Sequence, residues 1–302
     1  VVALDPTVRI LDLDGSVTRQ SGLLSDIGPN LRVVDLRTLG PALRYLCPRG
    51  AVRELELSLR PEDRGQLTFI GSGDFHHVTA SLLRRFSDPI TVIVFDTHAD
   101  FDRRPPIPCC GSWLADAVKL PHVARIVSIG LSAADIGGWR LLLGRVPDLL
   151  SGRIGFYPYD CLESRYWGGI MRFQTVSGNE WPELCDDIAG LLPTGNVYIS
   201  IDKDCLVAEE AFTNWEIGQM RVAQITSFIE RLAKTHRIVG ADITGEYSPL
   251  EIRNPLLRLI AKADHPDKAP VTPDDLRLNE ATNRTLLNAL RPRALTRIAD
   301  HD

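Results

Sequence analysis

Three stretches of this 302-residue chain put metal-ligand side chains directly after apolar runs. The first is Asp96-Thr97-His98-Ala99-Asp100, following the run 90–95. In an extended segment the side chains at i, i+2 and i+4 point the same way, so Asp96, His98 and Asp100 can converge. Two carboxylates and an imidazole suit a divalent first-row ion such as Mn, Fe, Zn or Ni. Taken alone, the same acids also read as helix-capping residues of a strand-end turn. The second is Ser200-Ile201-Asp202-Lys203-Asp204. Two aspartates facing one way repel unless a proton or cation neutralises them. The plainer reading has Lys203 paired with a surface acid and the aspartates capping a loop. The third is Gly71-Ser72-Gly73-Asp74-Phe75-His76-His77, where glycines allow a sharp turn and either histidine can face the same crevice. Together these stretches supply four carboxylates and two imidazoles. Two divalent ions would balance that charge, and ions roughly 3.5–4 Å apart lower the pKa of a shared water towards neutrality.

The elements that must position these groups are legible as short apolar runs at 8–13, 31–36, 67–70, 90–95, 124–129, 153–157, 196–201 and 237–243. Several are apolar at consecutive positions, as in strands covered on both faces. Helical candidates lie between them at 41–47, 77–86, 112–118, 133–143, 180–192 and 223–235. In the last, Ile225, Phe228, Ile229 and Leu232 form one apolar stripe. The alternation predicts an α/β fold with a mostly parallel sheet of about eight strands. In an open sheet of this kind ligands bind beyond the carboxyl ends of the strands, where all three stretches fall. The chain reads as one α/β domain over 1–302. Within it 262–302 is a helical appendage, because 262–273 is polar and proline-containing and 273–290 is helix-like.

The order of a Gly-rich histidine segment, Asp-x-His-x-Asp and Ser-x-Asp-x-Asp resembles the arginase/agmatinase (ureohydrolase) family over roughly residues 67–250. His76-His77-Val78-Thr79 resembles its Gly-Gly-x-His-Ser-Val-Thr block. The resemblance implies a three-layer α/β/α fold and two Mn(2+) ions per chain. His76, Asp96, Asp100 and Asp202 would hold one ion; Asp96, His98, Asp202 and Asp204 would hold the other. It further implies hydrolysis of a C–N bond in a small guanidino, amidino or formimino compound by attack of a metal-bridging hydroxide, and a homo-oligomer. Asp100 is the implied partner for the hydroxide proton. Asp242-Ile243-Thr244-Gly245-Glu246-Tyr247-Ser248-Pro249 resembles the family's Asp-Ile-x-Glu-x-x-Pro with one extra residue, and gives Glu246 the role of gripping the substrate cation.

Other features depart from the pattern. Cys109-Cys110-Gly111-Ser112 stands where arginases and agmatinases often carry His-Gly, which makes Cys110 a candidate cleft residue. Arg103, in Phe101-Asp102-Arg103-Arg104, is a candidate clamp for a substrate carboxylate, against a solvated pair as the simpler reading. Asp12-Leu13-Asp14-Gly15-Ser16 resembles the nucleophile loop of haloacid-dehalogenase-type phosphatases, but no matching later lysine and acidic pair follow. A deacetylase-like enzyme, with His76-His77 as an acid/base dyad, and a non-catalytic metal-stabilised scaffold complete the alternatives.

Composition narrows the setting. With 34 Lys+Arg against 39 Asp+Glu, a basic nucleic-acid binder is not expected. No apolar run approaches the roughly 18 residues of a membrane span. The opening Val1-Val2-Ala3-Leu4-Asp5 has no signal-peptide character, and the six cysteines form no C-x-x-C pair. These features predict a reducing, cytoplasmic setting.

Overall fold

The computed structural model describes residues 8–60, 66–102, 107–137, 144–160, 173–177 and 179–291. All eight apolar runs become strands: β1 (Val8–Asp12), β2 (Leu31–Asp35), β3 (Leu67–Ser72), β4 (Ile90–Phe95), β5 (Val123–Ile129), β6 (Ile154–Tyr157), β7 (Asn196–Asp202) and β8 (Arg237–Glu246). They form one sheet in the order β2-β1-β3-β8-β7-β4-β5-β6, with every pairing parallel. Burial follows from position. All six residues of β4, Ile-Thr-Val-Ile-Val-Phe, are buried, whereas edge strand β2 keeps none of its five fully buried. A strand covered on both faces gains from β-branched and aromatic side chains at every position, and β4 is built that way.

The helices are α1 (Ser21–Ile27), α2 (Gly40–Leu43), α3 (Arg49–Ser58), α4 (Val78–Leu83), α5 (Trp113–Ala117), α6 (Val146–Leu150), α7 (Trp181–Gly190), α8 (Val222–Leu232), α9 (Pro255–Asp264) and α10 (Pro273–Leu290). Two apolar cores sandwich the sheet. On one face Ile10, Phe69, Ile199 and Ile243 meet side chains of α1, α7, α8 and α10. On the other, Leu11, Ile70, Val92 and Val94 meet α3, α4 and α5. The α8 stripe of Ile225, Phe228, Ile229 and Leu232 is buried as its spacing predicts.

Three expectations need revision. The helix expected at 41–47 stops at Leu43, and Leu46 instead pairs with Cys109 in an isolated bridge. Of 133–143, residues 133–135 form a turn and 138–143 lie outside the described residues. The segment from 262 onward is no appendage where it is described. Leu286, Leu287 and Leu290 of α10 are fully buried in the first core, because that helix covers the sheet face between α1 and α8. A capping box closes its start: Asp275 N–H donates to Thr272 Oγ1 and Thr272 N–H to Asp275 Oδ2. Among the described residues no helix is long and apolar enough to cross a membrane.

Candidate metal centre

Three parallel strands end at one place and each delivers part of the cluster. β3 runs into a single 3-10 turn, Gly73–Phe75, capped by Ser72 Oγ accepting from Asp74 N–H at 3.3 Å. That turn sets His76 just before α4. β4 ends at Phe95 and leads straight into Asp96, His98 and Asp100. β7 ends at Asp202 and turns through Lys203–Cys205, with Asp202 Oδ1 accepting from Asp204 N–H at 3.1 Å. Asp100 holds a left-handed backbone, φ 46°, costly for a residue with a Cβ. The surroundings fix it: Trp113 Nε1–H donates to Asp100 Oδ2 at 2.6 Å, and Leu114 N–H to its carbonyl at 3.0 Å.

The side chains meet. His76 Nδ1 lies 3.0 Å from Asp96 Oδ2, 3.2 Å from Asp100 Oδ2 and 3.5 Å from Asp202 Oδ2. His98 Nδ1 lies 2.9 Å from Asp204 Oδ2 and 3.6 Å from Asp96 Oδ1. Two ligand groups result, His76/Asp96/Asp100 and Asp96/His98/Asp204, sharing Asp96. His76 and the four aspartates are buried. His77, the adjacent histidine, is also buried but belongs to neither ligand group. Neither of its ring nitrogens finds a hydrogen bond, and burial pushes its pKa down to about 4.

The outer nitrogens of both ligand-type imidazoles are anchored. His76 Nε2 lies 2.9 Å from Ser200 Oγ, and that hydroxyl donates to Asp242 Oδ1 at 2.7 Å. Asp242 also accepts from Thr79 Oγ1 at 3.1 Å and from Tyr198 OH at 2.7 Å. Since the serine proton is committed to Asp242, His76 Nε2 must carry hydrogen and Nδ1 is left to face the carboxylates. His98 Nε2 is likewise 3.1 Å from Glu216 Oε2. Histidines that bind metals are oriented through the far ring nitrogen in this way.

The electrostatics are those of crowded buried acids. Burial, then the Asp96 charge, pushes Asp100 up to about 7 and Asp204 up to about 6. Burial and the Asp204 charge raise Asp202 well above the carboxylate range. Burial would also raise Asp96, but the neighbouring His76 and His98 imidazoles outweigh it and hold Asp96 low. The residues fit a divalent cation on an independent count. His76 Nδ1 and Asp96 Oδ2 are buried, face one another, and have no hydrogen-bond partner.

The cluster forms the floor of a cavity of about 970 Å³, whose lining includes Asp96, His98, Asp100, Cys110, Trp215 and Glu216. Cys110 is where the sequence put it, and burial raises its thiol pKa well above the usual value. Glu246 is not in the lining. It is buried and accepts from Lys203 Nζ and, at 2.6 Å, from Asn283 Nδ2 on α10. So Lys203 pairs with a buried acid and not a surface one, and Glu246 is a correction to the substrate-gripping role. Arg103 lies outside the described residues. Asp14 serves as a structural tie: its oxygens accept from Ser16 N–H, Ser72 N–H and Ser248 Oγ. Sequence reasoning gave no role to Ser200 or Asp242 and none to Glu216. A strand-borne serine two residues before an acid was the one available signal.

No protein-family model matches the chain. An uncharacterized protein of Thermotoga maritima is 27% identical over 248 residues, covering 82% of this chain and 83% of that one. Among solved structures, Entamoeba histolytica arginase in complex with L-ornithine matches with TM-score 0.59 at 12% identity, covering 95% of this chain and 98% of that one. The agmatine ureohydrolase of Thermoplasma volcanium matches with TM-score 0.51 at 15% identity, covering 94% and 92%. With its single eight-stranded parallel sheet between helical layers, the chain has the fold of the arginases and agmatine ureohydrolases.

Proposed function

We propose that this protein is a binuclear metal-dependent hydrolase acting on a C–N bond of a small guanidino, amidino or formimino compound. One observation carries the reading. Five ligand-type side chains from three strand ends form two ligand groups, with Asp202 Oδ2 3.5 Å from His76 Nδ1, and His76 Nδ1 and Asp96 Oδ2 have no hydrogen bond. His76, Asp96, Asp100 and Asp202 would hold one ion, and Asp96, His98, Asp202 and Asp204 the other, with manganese the ion that the sequence resemblance implies. Ions held there supply Lewis acidity and a water acidic enough to react near neutral pH.

The chain's own groups do the rest. Ser200 and Asp242 hold His76 in the tautomer that leaves Nδ1 as the ligand atom. Glu216 does the same for His98. Asp100 lines the cavity beside the cluster, where its carboxylate would take a proton and return it to the leaving nitrogen. Trp113 fixes the orientation of that carboxyl. The cavity walls hold a small substrate against the cluster and exclude bulk water.

The deacetylase-like alternative needs His77 as a partner in acid/base chemistry, whereas His77 belongs to neither ligand group; metal stoichiometry separates the two readings. The scaffold alternative draws on the captured Glu246. The deciding experiment is metal analysis of wild type, Asp96→Asn and Asp202→Asn, coupled to a screen of guanidino, amidino and formimino compounds for release of urea or ammonia. Two ions per wild-type chain, lost in both variants, with turnover of one compound class, is the expected result. One ion per chain, or none, refutes the binuclear reading; two ions without any turnover favours the scaffold.

A further inference from the structure

The acid that would grip a substrate cation is missing from the place the sequence pattern assigns. Counting Asp-Ile-x-Glu forward from Asp242, the glutamate position is occupied by Gly245. Its backbone is left-handed, φ +87°, and a Cβ built there would lie 2.4 Å from Asp202 Oδ1 and 2.5 Å from Lys203 N. No side chain fits. The extra residue in this copy carries the acid one position along β8, to Glu246. Successive strand residues face opposite sides, so a one-residue slip turns the carboxylate away from the cavity. The register shifts in the pairing of β3 with β8 are the backbone counterpart of that slip. Lys203 then neutralises Glu246 on the far side.

Resting on the metallohydrolase reading above, we infer that Glu216 is the substrate-binding carboxylate of this site, replacing the acid expected from β8. Glu216 lines the cavity and its side chain is 58% exposed, so it is reachable. Its Oε2 lies 3.1 Å from His98 Nε2, which puts it one imidazole ring away from the candidate metal ligands Asp96 and Asp204. A carboxylate offers about four lone-pair sites, so the bond from His98 leaves acceptor capacity for a planar cation. The adjacent Trp215 stacks against Tyr45 with centroids 6.1 Å apart and meets His98 edge-on at 5.5 Å. Two other cavity acids also take one bond each, Asp264 from Tyr45 OH and Asp135 from Ala99 N–H; Glu216 differs from them in bonding a candidate metal-ligand imidazole. Among the described residues no Lys or Arg lines the cavity; Lys268 lies near enough to feel Glu216 and Asp204 but is not part of the lining.

The test is Glu216→Gln, which keeps an oxygen for His98 Nε2–H and removes only the charge. Manganese content is measured for each protein, and agmatine is used as the cationic probe in calorimetric titration of the Mn-loaded protein, with KM and kcat read if it is turned over. The expected result is two ions in both proteins and roughly tenfold or greater weakening of agmatine binding in Glu216→Gln. The control pair Lys203→Met with Glu246→Gln, which removes both charges of the buried ion pair outside the cavity lining, is expected to bind agmatine as wild type does. Unchanged agmatine affinity in Glu216→Gln, or a two-ion wild type that does not bind agmatine, overturns this assignment alone. A wild type without metal overturns the metallohydrolase reading and this assignment with it.

Discussion

Stripping metal from this protein is expected to cost stability, and the cost is expected to grow with pH. Burial and neighbouring carboxylates raise Asp100 to about 7 and Asp204 to about 6, from 3.8, and raise Asp202 further. Burial alone would lower His76 and His98, but the Asp100 and Asp96 carboxylates beside the first, and the charge of Asp204 on the second, raise both. A group whose pKa is higher folded than unfolded stabilises the fold below its unfolded pKa. That stability is lost as pH climbs through the folded value. All five groups therefore slope the same way, while Asp96, held low, is ionised throughout and adds no slope. For Asp100 alone the full loss is about 4 kcal/mol, with about 2.5 kcal/mol falling between pH 5 and pH 8. At about 2–4 °C per kcal/mol for a chain of this size, that is a fall in Tm of about 5–10 °C. Metal binding must displace the same protons, so it strengthens as pH rises. Scanning calorimetry with EDTA and with excess manganese, at pH 5, 6.5 and 8, measures both slopes. The EDTA curve is expected to fall and the gap between the curves to widen. A flat EDTA curve, or a gap that narrows with pH, would refute the shared buried charge on which the metal centre rests.

Replacing Ser200 by Ala, or Asp242 by Asn, frees the His76 ring and is expected to weaken manganese binding about 10- to 100-fold, read by equilibrium titration with little change in circular dichroism. Gly245→Ala sets a methyl group against Asp202 in a left-handed backbone; a loss of about 2 kcal/mol or more in urea unfolding, with reduced metal content, is the expected outcome. Lys203→Met leaves Glu246 buried without its cation and is expected to cost about 3–5 kcal/mol, most of it recovered in Lys203→Met/Glu246→Leu; equal losses in both proteins would disprove the pairing argument. Asp12→Asn is expected to leave manganese content unchanged, whereas a phosphatase nucleophile at that position would make it the decisive loss.

The strands were legible because their signal is local. Runs such as Ile90–Phe95 carry their burial in composition alone, and the strand-end rule then points to the residues after them. Helices α1, α3, α6 and α9 escaped. α3 buries only Ala51 and Leu55 among its ten residues, too thin a stripe to stand out. The convergence of His76 with Asp96 and Asp202 could be argued from strand ends, but the fate of Glu246 could not. It turns on one extra residue in β8, whose effect on side-chain direction depends on which neighbour absorbs the slip. Glu216 was equally opaque, since nothing local separates a loop glutamate in solvent from one placed on His98. The role of α10 was misjudged because its polar approach, 262–273, resembles a linker, while its core-facing leucines cluster only in its last turns.

Strand order adds a kinetic corollary. β3 and β7 are not neighbours; β8, the last strand made, is inserted between them. Without β8 the remaining strands divide into two groups, β2-β1-β3 leading to His76 and β7-β4-β5-β6 bearing the four aspartates and His98. A nascent chain thus offers metal ions only fragments of the cluster, and complete loading waits for the centre of the sheet to be filled. Non-local parallel pairing of this kind closes slowly, so metal uptake during refolding would report the arrival of the final strand.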